Sequence, residues 1–183
     1  MIFIFQRKSQ KLQIDETKSQ VTVITGALKI TVSKQQFRLL DQVWIDRNKD
    51  GRYSNDERVT ASTGAGIELR TPGGELFRAD GGQCEIRVEQ RGPIRACLRI
   101  EGHHRRKTGK MFRYVVRLHF WRGQPFVRMH YTFINDNTVK VMSPIKSLEL
   151  VFAHRGKADK SGLLSGSPTT NARLFQVDER SYQ

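Results

Sequence analysis

The chain is short of cysteine, short of acid and without a long apolar run, and each shortage excludes something. Two cysteines in 183 residues cannot build a disulfide scaffold or a structural zinc site. Asp and Glu number 18 against 32 Lys and Arg, a formal net charge of +14. So basic a surface favours an acidic partner, whether nucleic acid, anionic lipid or acidic polysaccharide, without choosing among them. The opening "MIFIF" is too short for a membrane span or a signal-peptide core, and no later run approaches a span. No membrane partner is expected, any export signal would lie outside this sequence, and localisation is left open. There is no serine-nucleophile motif, phosphate-binding glycine loop or zinc-type Cys/His set. No RNP or OB signature supports the nucleic-acid reading either.

What is present is β-structure. "QVTVIT" and "LKITVS" are alternating runs split by Gly26, and "GELFRAD", "EIRVEQ" and "IRACLRI" follow between Gly and Pro turns. "MFRYVVRLHFW" and "PFVRMHYTFIN" are the two strongest segments, and "KSLELVF" comes after them. Period-2 alternation with aromatic and β-branched enrichment predicts strands, and their close spacing predicts one all-β sandwich or barrel with few or no helices. The stretch "RGKADKSGLLSGSPTT" around 155–170 reads as mobile. The ending "LFQVDERSYQ" stops within what reads as a strand, so the chain is expected to be part of a longer protein.

Alternation also sets a register. The inward sets Phe112, Tyr114, Val116, Leu118, Phe120 and Val127, Met129, Tyr131, Phe133 share a face only if Phe120 meets Val127 and Val116 meets Tyr131. The same logic pairs Val88 with Ile94, Ile86 with Ala96, and Leu98 with Tyr114 across a long "EGHHRRKTGK" connection. Cys84 then faces in and Cys97 out, and opposite faces cannot be bridged, which predicts free thiols. The outer face carries Arg87, Arg95, Arg117 and His130 in one row, with Arg99 and Arg113 opposed in the next. Like charges across a sheet repel. Either this is a solvated face relieved by Glu85 and Glu89, or an anionic ligand or a neighbouring domain covers it.

One acidic loop stands out. "DRNKDGRYSNDE", residues 46–57, places Asp46, Asn48, Asp50, Ser54 and Glu57 at the oxygen-donor positions of an EF-hand loop, with Gly51 at the turn and Arg52 offering a carbonyl. The segment before it, "KQQFRLLDQVWI", reads as either helix or strand, but "RVTASTGAGIEL" after it is a poor helix. With no good helix after the loop and no second loop to pair with it, a calcium sensor is not expected. A structural calcium loop and an Asp/Asn/Gly turn that satisfies its own backbone stand level, with Arg47, Lys49, Arg52 and Arg58 weighing against the cation. Of the five histidines, His103 and His104 fall in the long basic connection. His119 and His130 lie on the basic face, His154 borders the mobile stretch, and none has metal-ligand spacing.

Together "VITGALKITVSKQQFRLLDQVWIDRNKDGR", "VEQRGPIRACLRIEGHH" and "FRYVVRLHFWRGQPFVRMHYTFIND" resemble exo-rhamnogalacturonan lyase-like (YetA-like) proteins, from about Val21 onward. The resemblance implies an N-terminal barrel of the RIFT type, followed in that family by a central β-sandwich and a C-terminal α/α toroid. It implies a parent enzyme that cleaves pectic rhamnogalacturonan by β-elimination, with this chain alone inactive. No catalytic residue of the family matches a position here. The competing readings are a stand-alone carbohydrate- or anion-binding module and, less supported, a nucleic-acid-binding β-domain.

Overall fold

The computed structural model describes residues 11–61, 66–138 and 142–155, and the backbone of 161–167 and 170–176. Four strands, β1 (Gln13–Glu16), β2 (Gln20–Ile24), β3 (Leu28–Ser33) and β4 (Gln42–Ile45), form an antiparallel meander. A larger sheet holds β5 (Gly66–Arg70), β6 (Leu76–Arg78), β7 (Glu85–Arg91), β8 (Arg95–Arg105), β9 (Lys110–Trp121), β10 (Val127–Ile134) and β11 (Ser147–Val151). Its order is β10-β9-β8-β6-β5-β11, with β7 also paired to β8. A separate hairpin joins β12 (Ser161–Ser167) to β13 (Thr170–Gln176). Among the described residues the only helical pieces are single 3-10 turns at Asn55–Glu57 and Ala79–Gly81.

The two sheets face each other because each presents an apolar side that water would penalise. Val21, Val23, Leu28, Ile30 and Val32 from the small sheet share one core with Ala96, Leu98, Ile100, Tyr114, Val116, Leu118 and Phe120 from the large one. Phe37 and Leu39, between β3 and β4, plug one end, and Phe37 stacks on Tyr114 with centroids 5.6 Å apart. The ambiguous segment is thus a loop followed by the short strand β4, and no helix precedes the acidic loop. At Gly66 the chain has φ +78 and passes so close that a Cβ would lie 2.8 Å from Arg38 Cα.

The sheets are stitched at two places. After β11 the chain crosses over, so that Thr60 bridges His154 while Arg58 bridges Trp44 of β4. Arg155 N donates to Val59 O, and Val59 N to Val43 O, both at 2.8 Å. Elsewhere buried Thr25, in the β2–β3 turn, accepts Gly123 N at its carbonyl (2.7 Å) and donates its hydroxyl to Gln124 O (2.8 Å). That second stitch holds the β9–β10 turn against the opposite sheet.

The β9–β10 register is as alternation predicts, with Phe120 opposite Val127 and Val116 opposite Tyr131. The other predicted pairs are displaced. Ile86 meets Ile100, Val88 meets Leu98, and Leu98 meets Leu118 rather than Tyr114. Two features cause this. Ile94 sits exposed in the Gly92–Arg95 turn, and a bulge at Glu89 adds a residue to β7. The long basic connection is also mostly strand: β8 runs to Arg105 and β9 starts at Lys110, leaving a tight turn closed by Arg106 N to Gly109 O. For Leu98 the displacement is an even number of residues, so the inward and outward faces of β8 survive.

Cys84 and Cys97 are free thiols. Cys84 sits against the carbonyls of Ser33 and Lys34, and Cys97 lies buried on the outer side beside Glu89. Burial pushes both thiols up, to about 12 and about 11. The stretch read as mobile carries β12 in its described part; the remainder of it, and the chain end after Gln176, lie outside the described residues.

Candidate functional site

The outer face of the large sheet is built from the odd-numbered residues of β8 and β9 and the even-numbered ones of β10. Its central row is Arg87, Arg99, Arg117, His130, read across β7, β8, β9 and β10. Arg99 therefore takes the place predicted for Arg95, which moves two rows along to face Trp121. Between these rows lies Cys97, His119, Arg128. Arg113 stands at the far end, opposite His103, whose Nε2 is 2.8 Å from Asp136 Oδ2.

Stacking three guanidiniums in one row would destabilise the sheet, and the bulge resolves it. Glu89, the extra residue, swings its carboxylate between two of them. Arg117 donates from Nε and Nη2 at 2.8 and 3.0 Å, and Arg99 donates from Nη1 at 3.3 Å. The Arg117 hydrogen bonds, outweighing partial burial and aided by Arg99, hold the Glu89 carboxyl down to about 2. Arg87 pairs with Glu85, and Arg99 also with Glu101. These arginines are held by protein acids.

The Trp121 corner is different. Arg95 Nη2 lies 2.9 Å from His119 Nδ1. A guanidinium has only donors, so Nδ1 accepts and the imidazole is neutral. Burial, then the nearby Arg95 charge, lowers the His119 pKa in the same sense. Arg95 and Arg128 sit 5.7 and 5.8 Å from the Trp121 ring, within cation–π range, and Phe126 packs 5.5 Å from the same ring. Phe126 is 52% exposed, and His119 meets His130 edge-on at 5.0 Å. Neither Arg95 nor Arg128 has a carboxylate partner among the described residues. Trp121, Phe126 and Arg128 were not singled out from the sequence, although carrying the alternation through "RGQP" to both ends of the hairpin places Trp121 and Arg128 on the basic face.

The acidic loop is closed by its own backbone. Asp46 accepts Asp50 N and Gly51 N at 3.2 and 3.0 Å, Asn48 Oδ1 accepts Asp50 N at 3.0 Å, and Asp50 Oδ1 accepts Arg52 N at 2.7 Å. Glu57 accepts Arg47 N on one oxygen, and Ser54 N and Oγ on the other. The Ser54 N–H foremost holds the Glu57 carboxyl below its usual range. Lys49 and Gly51 take positive φ, 62 and 76, to turn the chain. Among the described residues no three His, Cys, Asp or Glu side chains gather to hold a metal.

His104 is buried rather than in an exposed loop. Its Nδ1 donates to Phe112 O at 3.0 Å and its Nε2 accepts the Tyr131 hydroxyl at 2.9 Å, which fixes the tautomer. The small cavity of about 80 Å³ lined by Arg38, Asp41, Gln42 and Thr60 is well below the ~300 Å³ of an ordinary ligand site. No helix among the described residues is long and apolar enough to cross a membrane.

No curated protein matches the chain. Residues 12–159 match the family described as PcRGLX-like protein central beta sandwich domain. The resemblance to rhamnogalacturonan lyase-like proteins had implied the N-terminal barrel, whereas the match is to the central sandwich, the architecture the two stitched sheets display. The chain belongs to the PcRGLX-like protein family, by its central β-sandwich domain.

Proposed function

We propose that this sandwich is the non-catalytic, substrate-facing domain of a polysaccharide lyase-like protein acting on pectic rhamnogalacturonan. The observation that supports it most is the basic outer face of the large sheet, with aromatic rings among its cations. Such a face suits a polyuronate, or an acidic surface elsewhere in the same enzyme. In β-elimination a base takes the proton from the carbon α to the uronate carboxylate, the bond from the β carbon to the glycosidic oxygen breaks with its electron pair going to that oxygen, an acid protonates the oxygen, and a C=C bond forms between the α and β carbons. Stabilising the negative charge that develops at that carboxylate falls to cationic groups elsewhere in the parent protein, while the basic face of this domain would hold neighbouring carboxylates of the polymer.

The test compares this chain with the longest protein its gene encodes, following unsaturated uronate by its absorbance. Activity in the longer protein and none in this chain supports the reading. Oligosaccharide binding by this chain with no lyase activity in any longer form favours a stand-alone carbohydrate-binding module. Salt-sensitive binding to single-stranded nucleic acid, with no effect of pectin, overturns both.

A further inference from the structure

We infer that the corner formed by Arg95, His119, Trp121, Phe126 and Arg128 is a binding site for a carboxylated sugar, with the two guanidiniums taking the carboxylate. This rests on the domain facing an acidic polysaccharide, and it narrows a whole sheet face to one corner and one ligand class.

Charge balance selects the corner. Arg99 and Arg117 are held by Glu89, and Arg87 by Glu85; a ligand carboxylate would have to displace a protein carboxylate already in place. Arg95 and Arg128 lie 5.7 and 5.8 Å from one indole, and among the described residues neither has a carboxylate partner. Among those residues each is held by the face of that ring and, for Arg95, by a neutral imidazole rather than by a carboxylate, which leaves both charges open to an anion. Arg95 comes prepared: its contact to His119 Nδ1 takes one side of the guanidinium and leaves other N–H donors for a carboxylate. Because His119 accepts there, its own proton is on Nε2, a further donor on the same face.

The rings argue for a sugar rather than a bare anion. Phe126 lies 41° from the plane of Trp121, 5.5 Å away, and half of it is open to solvent. Beside the arginines, these rings offer an apolar shelf for the C–H face of a pyranose. The corner is a shallow surface, so a single sugar should bind weakly and an oligomer better.

The chain has two tryptophans, so Trp44→Phe leaves Trp121 as the only indole reporter. We would titrate that variant with trigalacturonate, the matching neutral galactose trimer, and inorganic phosphate, following indole fluorescence. A saturating change with trigalacturonate alone is expected. Arg128→Gln and Arg95→Gln should each weaken it by roughly tenfold or more, the size of one lost charged hydrogen bond. Arg128→Lys should recover part of the loss, and Arg87→Gln should change it by less than about twofold. Circular dichroism confirms that each variant is folded.

Equal response to phosphate overturns the sugar assignment. No response, or binding indifferent to Arg128→Gln, overturns the corner, and in the latter case the domain reading survives through a site elsewhere on the face. Trigalacturonate binding here, with no pectin lyase activity in any longer form of the protein, leaves the corner standing and removes the domain reading.

Discussion

Replacing Glu89 with glutamine should destabilise the fold by about 1–2 kcal/mol at low salt. The carboxylate takes Arg117 through two hydrogen bonds, at 2.8 and 3.0 Å, and Arg99 through one at 3.3 Å. A single exposed pair is worth about 0.2–1 kcal/mol. Here one carboxylate also separates two guanidiniums that oppose each other across β8 and β9, a like-charge contact that costs up to about 1 kcal/mol when unrelieved. Glutamine keeps the shape and one acceptor oxygen but turns the other oxygen into a donor facing guanidinium N–H groups, so the charge and one acceptor disappear together. A chain of this size moves about 2–4 °C per kcal/mol, which sets the expected fall in Tm at about 2–8 °C. In ~1 M salt, where the Debye length is about 3 Å, the difference should at least halve. The Glu89 carboxyl is held down to about 2, against 4.5 for an ordinary glutamate. Its contribution is therefore complete above about pH 5 and fades as pH falls toward 2, where the two proteins should unfold alike. The measurement is thermal unfolding by circular dichroism across salt and pH. An unchanged Tm at low salt, or a loss that salt does not diminish, refutes the account of the bulge as a charge relief.

Other outcomes follow from the same geometry. A Cβ at Gly102 would lie 2.3 Å from the hydroxyl oxygen of fully buried Tyr114, so Gly102→Ala should cost about 1–3 kcal/mol in chemical denaturation; adding Tyr114→Phe should recover part of it, and no recovery refutes the clash. Burial lowers the His104 pKa below 6.5, so the stability tied to its neutral form is complete above that value and is lost as pH falls below it. Tyr131→Phe, which strands His104 Nε2, should lower the urea midpoint by the equivalent of about 1–2 kcal/mol near pH 7.5. Asp46→Ala removes the acceptor of two backbone N–H groups and should cost about 1–3 kcal/mol. The proposal of calcium at that loop is tested on the unaltered chain: a Tm that rises with millimolar calcium and falls with a chelator supports it, and no shift removes it.

Alternation carried the architecture where both strands of a hairpin run unbroken into a short turn. Phe120 and Val127 flank such a turn, and their register was readable because the short turn limits the slip and a slip by one residue buries arginine. It failed where composition misled. Gly102, His103, His104 and Arg105 look like loop, yet they extend β8, because the Phe112 carbonyl and the Tyr131 hydroxyl satisfy His104 inside the core. Glu89 failed for a different reason: a bulge leaves no periodic trace, and its effect depends on arginines ten and twenty-eight positions away. The basic face was legible as a face, since an even-numbered slip preserves sides, but which arginines keep an open valence was not. That depends on which acids reach them, and reach is set by the folded register.

The Thr25 latch bears on the recognition corner through entropy. A surface ligand site pays for every loosely held group it must immobilise, and Trp121 and Phe126 flank a turn that would otherwise sway at the end of a long hairpin. With Gly123 and Gln124 bonded to a buried threonine of the opposite sheet, that ordering is completed when the chain folds. Thr25→Val should therefore loosen a sugar that it never touches.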